Sequence, residues 1–210
     1  MQVLKDRVRS RILEAAELQF SRAGFDKATI GDIASEAGVA TGTVYKYFRN
    51  KAELYRSVIT DEFVNELSRM TRSRIAAFAR PDGLSVQQPP TSGKSGELLR
   101  FFAANRLKVV ILLGRAEGTE HAGFAREYVS AMETQALNQA RKQFPGRAMT
   151  RTFRFMVRKT LAESVRGIVD ILAEFDDEPS IREALEAATR YRIAGINSLV
   201  AWAMDKGGAA

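Results

Sequence analysis

A chain of 210 residues that is 45% hydrophobic and 27% charged can bury a core for one or two domains, which excludes a disordered polymer. Its net charge of +7 and sequence pI of about 9.9 favour a polyanionic partner. Cysteine is absent, which excludes a disulfide framework and thiolate chemistry and fits a reducing, cytoplasmic setting. No run approaches the ~20 apolar residues of a membrane span, and the N-terminus M-Q-V-L-K-D-R-V-R-S-R lacks the apolar stretch of a signal peptide.

In chain order, Lys5 to Ala23 is predicted as the first helix, with Val8, Ile12, Ala16 and Phe20 forming one apolar stripe. Gly24 is placed as the C′ glycine, with Phe25 folding back in a Schellman-type cap. The cations Lys5, Arg7, Arg9 and Arg11 are either within reach of phosphates or an ordinary solvated face.

Thr29 to Lys51 reads as two short helices around a tight turn, with a further helix behind. Thr29 and Asp32 make a capping pair, and Ile30, Ile33, Ala34 and Ala37 recur on one face. Gly38 supplies the positive φ of the turn, and Val39 plugs the corner. Thr41 is the next expected N-cap, Val44 and Phe48 form an inward i, i+4 pair, and Thr43, Lys46 and Tyr47 lie opposite. Asn50 with Glu53 is a second capping pair, so a helix is predicted to start at Lys51. Two such helices around a glycine turn suit a helix-turn-helix, whose second helix enters the major groove. A lysine in the first turn opposes the helix dipole, which makes sense if an anion docks there.

The words I-L-E-A-A-E-L-Q-F (Ile12 to Phe20), A-G-F (Ala23 to Phe25), T-I-G-D-I-A-S-E-A-G-V (Thr29 to Val39), T-G-T-V-Y-K-Y-F (Thr41 to Phe48) and R-N-K-A-E-L (Arg49 to Leu54) resemble the DNA-binding domain of the tetracycline-repressor (TetR) family. The resemblance covers roughly the first quarter of the chain; beyond it only length and helical character are similar. It implies an all-α fold: a three-helix head over residues 1–52 and a helical effector-binding and dimerisation domain over 53–210. It also implies DNA contacts from Thr29, Thr41, Gly42, Thr43, Tyr45, Lys46, Tyr47 and Lys51. Thr29 and Tyr47 are expected on phosphates, Lys51 as the strongest clamp, and Thr41, Gly42, Thr43 and Lys46 toward the groove. Gly31 departs from relatives that carry a longer polar side chain early in that helix.

From Lys51 one long helix is predicted to about Phe78, carrying Leu54, Val58, Phe63, Leu67, Met70 and Ile75. Pro81 to Gly96 is read as a loop, because Pro81, Pro89 and Pro90 exclude helix. Its Gly93-Lys94-Ser95 is only the tail of a phosphate loop, with Gln88 where that motif needs glycine. Further helices are predicted over Glu97–Arg115, Thr119–Phe144 (one helix or a broken pair), Thr150–Phe175 and, with Ser180 as N-cap, 180–205.

With these features the resemblance implies a ligand-responsive, homodimeric regulator, expected to be a repressor released by a small, largely apolar effector. The partners expected are a near-palindromic double-stranded operator, the effector and a second copy, with no membrane. The effector cavity implied by the resemblance is assigned to Phe101, Phe102, Asn105, His121, Phe124, Tyr128 and Met156. The dimer interface is assigned to helices 150–175 and 180–205 through Val165, Ile168, Leu172, Ala188, Gly195 and Leu199. No cofactor, metal or catalytic residue is expected. An all-helical enzyme is disfavoured by a single histidine and the lack of any metal-spaced cluster. A non-specific architectural DNA binder would bind mixed-sequence DNA nearly as tightly as a chosen operator.

Overall fold

In the computed structural model the described residues are 2–78, 93–143, 145–146 and 149–206, and among them the chain is helical with no strand. The helices are α1 (Gln2–Ala23), α2 (Ile30–Glu36), α3 (Thr41–Tyr47), α4 (Lys51–Val58) and α5 (Asp61–Phe78), followed by α6 (Gly93–Ala104), α7 (Arg106–Gly114), α8 (Phe124–Gln143), α9 (Arg151–Glu174) and α10 (Glu178–Lys206). Most of the loop expected over 81–96 lies outside the described residues, but helix α6 already begins at Gly93.

Local capping explains most boundaries. Thr29 Oγ1 accepts the Asp32 N–H, and Asn50 Oδ1 accepts the Glu53 N–H, so α2 and α4 start where their capping pairs put them. Helix α3 begins at its expected cap: Thr41 is the first helical residue, and Ala40 occupies the cap position with no side-chain bond. The Gly24 N–H closes onto Phe20 O and Gly24 has φ +81, while the Phe25 N–H leaves α1 for Arg115 O at 3.2 Å. The cap is therefore the single-bond left-handed form rather than a Schellman pair, although the Phe25 ring does return to Phe20 at 5.7 Å.

The single long helix expected from Lys51 to Phe78 is two helices. Val58, Ile59 and Thr60 are three β-branched residues in a row, which lowers helix propensity. Ile59 leaves the helix (φ −102, ψ 89), and Thr60 restarts it by accepting the Phe63 N–H on its hydroxyl. Asp61 and Glu62 then suit the positive end of the α5 dipole. The helix expected over Glu97–Arg115 is likewise split at Asn105 (φ −123, ψ 29), whose side-chain amide donates to Phe101 O. Residues 116–123 form turns, so α8 starts at Phe124 rather than Thr119. Asp177, not Ser180, caps α10: its carboxylate accepts the Ser180 N–H at 2.8 Å. Pro179 then sits in the first turn, where its missing N–H costs nothing.

Helix α7 is the hub of the molecule. Val109 to Leu113 are five consecutive buried residues, which requires partners on every side. Those partners are α1, α6, α8 and α9. One apolar core runs continuously from Ile12, Phe20 and Leu54 in the first four helices through Leu98, Ile111 and Val165 to Leu172 and Leu185. At the end of α7 a Cβ on Gly114 would lie 2.7 Å from Val169, so glycine is what allows α7 and α9 to meet there.

Candidate nucleic-acid interface

Ile33, Ala34, Val44 and Phe48 are buried, which pins α2 against α1 and α3 against α2 and leaves their opposite face outward. Gly38 turns the chain with φ +62. Arg11 braces this turn from α1, donating to Ala37 O and, at 3.1 Å, to Gly38 O. A cation at a helix C-terminus stabilises the carbonyls left unpaired there. Arg9 lies 5.4 Å over the Phe48 ring. Two of the four N-terminal cations thus hold the head together, a role that spacing alone does not reveal.

On the outward face, Thr41, Gly42, Tyr45 and Lys46 are exposed, with Tyr45 54% accessible, and Thr43 is partly so. Tyr47 is half-buried and packs against the core beside Val44 and Phe48. A Cβ at Gly42 would meet nothing within 4 Å, so intramolecular packing does not call for glycine there. Thr29 is exposed, but its hydroxyl already donates to Asp32 Oδ2 at 2.6 Å.

Lys51 has a different setting from that of an extended phosphate clamp. Its Nζ donates to Phe25 O at 2.7 Å, Ala28 O at 3.0 Å and Asp26 O at 3.2 Å, and lies 4.5 Å from the Phe25 ring centroid. The three protons of one ammonium match three carbonyls of the α1–α2 turn.

That turn is also gripped by the 115–121 segment behind α7. Besides the Phe25–Arg115 backbone bond, Gly118 approaches Asp26 so closely that a Cβ would fall 1.8 Å from its carboxylate. Arg56 donates to Glu120 at 2.8 Å. Burial works against the Glu120 carboxylate, yet its own N–H and Arg56 hold it below its usual range. Tyr55 is fully buried between Phe20, Phe25 and His121, with its hydroxyl 3.4 Å from His121 Nδ1. Burial pushes the Tyr55 phenol up to about 12, against a smaller lowering by its bond with Thr119. Glu17 on α1 faces α7; burial raises its carboxyl, with Lys108 opposing.

Of the seven residues assigned to an effector cavity, Phe102 and Tyr128 lie in the apolar core and Phe101 and Phe124 pack against it. Phe101 stacks on Phe63 at 5.6 Å, with Asn105 one helical turn on. Phe124 packs 6.0 Å from Tyr128, whose buried hydroxyl accepts from Thr71 at 2.8 Å. His121 belongs to the junction just described. Phe102 and Met156 instead line a groove of about 370 Å³ with Thr160, Gly167, Ala188 and Gly195. Of the residues assigned to a dimer face, Leu172 is fully buried within the protomer, while Val165 and Ile168 are buried at the floors of two open grooves. Leu199 packs partly on Leu137 and Phe153, while Ala188 and Gly195 are exposed. Sequence reasoning missed Tyr191 and Phe155, which are 83% and 62% accessible and give the outer face of α9 and α10 its aromatic area. Their signal was an apolar residue standing opposite the buried stripe. Among the described residues no helix is long and apolar enough to cross a membrane, and no cluster of potential metal ligands occurs.

Comparison with known proteins matches residues 12–58 to the family described as "Bacterial regulatory proteins, tetR family". The uncharacterized HTH-type transcriptional regulator YfiR of Bacillus subtilis is 36% identical over 69 residues, 33% of this chain and 34% of YfiR. The HTH-type transcriptional regulator TtgR of Pseudomonas putida is 45% identical over 51 residues, 24% of each chain. The chain thus aligns with only about a third or less of these relatives' length. Among solved structures, a TetR-like transcriptional regulator from Rhodococcus sp. RHA1 aligns over 88% of this chain and 94% of its own, at 18% identity and a TM-score of 0.49.

Proposed function

We infer that this chain, which belongs through residues 12–58 to the tetR family of bacterial regulatory proteins, is a ligand-responsive homodimeric repressor released from its operator by a small, largely apolar effector. The family is one of DNA-binding regulators rather than enzymes. The observation that carries the reading is the outward face of α3. Thr41, Gly42, Tyr45 and Lys46 are exposed on a helix anchored from behind, and Gly42 has no packing reason to be glycine. Glycine inside a helix costs about 0.5–1 kcal/mol relative to alanine. Close approach of a DNA backbone accounts for it.

In this reading Thr43 and Lys46 address base edges, Thr41 and Tyr45 flank them, and Thr29 and Tyr47 approach phosphates, Thr29 by re-aiming its hydroxyl. Lys51 acts from behind the interface by fixing the turn that aims α2, while the α4 N-terminus keeps its attraction for phosphate. The head is residues 1–52 and the body residues 53–210. Two copies join through α9 and α10 about a two-fold axis. Their α3 helices then reach half-sites about 34–36 Å apart, or further if the dimer spans successive grooves.

The break at Ile59–Thr60 changes how a switch would work. One rigid rod does not connect operator to body. The body instead reaches the head through α7 and residues 115–121, which hold Phe25 and Asp26. An effector that shifts the end of α7 would displace the α1–α2 turn and re-aim α3, with reciprocal coupling of about 1–3 kcal/mol. The test is selection of a preferred duplex from a random pool, followed by affinity measurement at one salt concentration. A preferred near-palindrome bound far more tightly than mixed-sequence DNA is expected. Equal affinity for both would leave only an architectural DNA binder.

A further inference from the structure

A second groove, of about 690 Å³, lies along the side of α9 between α8 and the end of α7. Its floor is apolar: Leu113, Gly114, Val129, Val165 and Val169. Its rim is charged. On α9, Arg158, Ala162, Arg166 and Asp170 follow at four-residue spacing and so line one side; Arg126 and Glu133 face them from α8, and Arg115 closes the α7 end. Four arginines meet two carboxylates.

The pairing within that rim decides what the groove would accept. Glu133 is nearly buried and holds Arg158 through both oxygens, at 2.7 and 3.3 Å, so this pair is internally satisfied. Arg166 lies near enough to Glu163 to reinforce the field by which Lys159 lowers that carboxyl. No ion pair of Arg115 or Arg126 is found among the described residues, and of the carboxylates lining the groove only Asp170 is left unpaired by Arg158. An apolar floor with surplus guanidinium groups at its edge matches one ligand shape: an apolar chain ending in a carboxylate, which a guanidinium can hold with two parallel bonds. The volume lies within the range of small-molecule sites.

The groove also sits where a ligand would be felt. Leu113, Gly114 and Arg115 form its inner end, and the Arg115 carbonyl is the group that accepts the Phe25 N–H of the head. We propose that this groove is the effector site and that it takes a single-chain amphipathic carboxylate, anchored by Arg115, Arg126 and Arg166. The proposal rests on the reading of the protein as a ligand-responsive regulator. It places the effector on the opposite side of α9 from the groove lined by Phe102 and Met156.

The test titrates the full-length protein with decanoate, and with decyltrimethylammonium as a cation of the same chain length, by calorimetry below micelle-forming concentrations. Decanoate should bind and the cation should not. The Arg126→Glu/Arg166→Glu variant should weaken decanoate by about tenfold to hundredfold. Ala162→Trp fills the groove without touching its charges and should weaken it similarly. Decanoate should also release a selected operator duplex from the wild type. Equal binding to wild type and both variants, or no binding to any, overturns the proposal. So does sedimentation of the double-arginine variant as a monomer while the wild type is a dimer, because the groove is then a contact between copies. Operator affinity of the ligand-free wild type is read separately. If it persists while decanoate fails, the groove assignment falls and the regulator stands; if it is absent, the regulator reading itself falls.

Discussion

Replacing Lys51 by methionine separates two roles for the residue at the start of α4. Methionine keeps an unbranched apolar stem and removes the ammonium, leaving the carbonyls of Phe25, Asp26 and Ala28 without their shared donor. A net hydrogen bond to a charged group contributes ~1.5–3 kcal/mol, and two of these three bonds are partly buried. One ammonium serves all three, so the terms do not add fully, and relief of its desolvation offsets part of the loss. A destabilisation of about 2–3 kcal/mol follows. For a chain of this size that lowers Tm by roughly 5–10 °C. The assay pairs thermal unfolding with operator affinity across a salt series. The expected result is a lower Tm, weaker operator binding and an unchanged slope of log affinity against log salt. A lysine that clamps a phosphate would give the reverse: Tm unchanged, affinity reduced for every duplex, and a slope smaller by about 1. That second pattern would refute the bracing role.

Gly195→Glu should yield monomers with little loss of protomer stability, because no atom lies within 4 Å of a Cβ placed there; an analytical centrifuge run showing intact dimers would remove α10 from the interface. Gly118→Ala forces a Cβ at φ +80 to 1.8 Å from the Asp26 carboxylate. It should cost about 1–2 kcal/mol and weaken operator binding, and adding Asp26→Ala should restore only the steric part, because the backbone strain persists. Burial raises the Glu17 carboxyl, so its protonated form is the one the fold favours; that stability is complete below the usual carboxylate range and fades as pH rises through the shifted value. Glu17→Gln should therefore raise Tm at pH 7 by about 1–3 °C, and the gain should vanish in acid; a Tm unchanged or lowered at pH 7 would mean that Lys108 more than offsets the burial. Tyr55 works in the same direction at the other end of the scale: with its phenol pushed up to about 12, its contribution is intact below pH 10 and lost as pH climbs through about 12. Tyr55→Phe should flatten that alkaline limb of the stability curve.

Local chemistry wrote the head of this protein into its sequence. The capping oxygens of Thr29 and Asn50, the left-handed Gly24 and Gly38, and the inward Val44 and Phe48 each act within a few residues, so reading them in order places α1 to α3 and the start of α4 to within a few residues. The breaks at Thr60 and Asn105 were harder. Each interrupts an apolar pattern that continues across it, and periodicity cannot distinguish one helix from two in line. What faces what was decided only in three dimensions. Lys51 looks like a phosphate clamp until the chain brings three carbonyls, from residues more than twenty positions earlier, onto its ammonium. Val165, Ile168 and Leu172 form as good an interface stripe as any in the sequence, but α7 and α10 pack along α9 and bury most of that stripe within one protomer. The outer face is thereby left to Phe155, Ala188, Tyr191 and Gly195. A helix's apolar face records that it is buried and not what buries it, because the hydrophobic effect carries no direction and no partner's name. The sequence by itself therefore determined the helical class, the caps of α2 and α4 and the outline of the head. Tertiary packing decided which side chains remained free to meet another molecule.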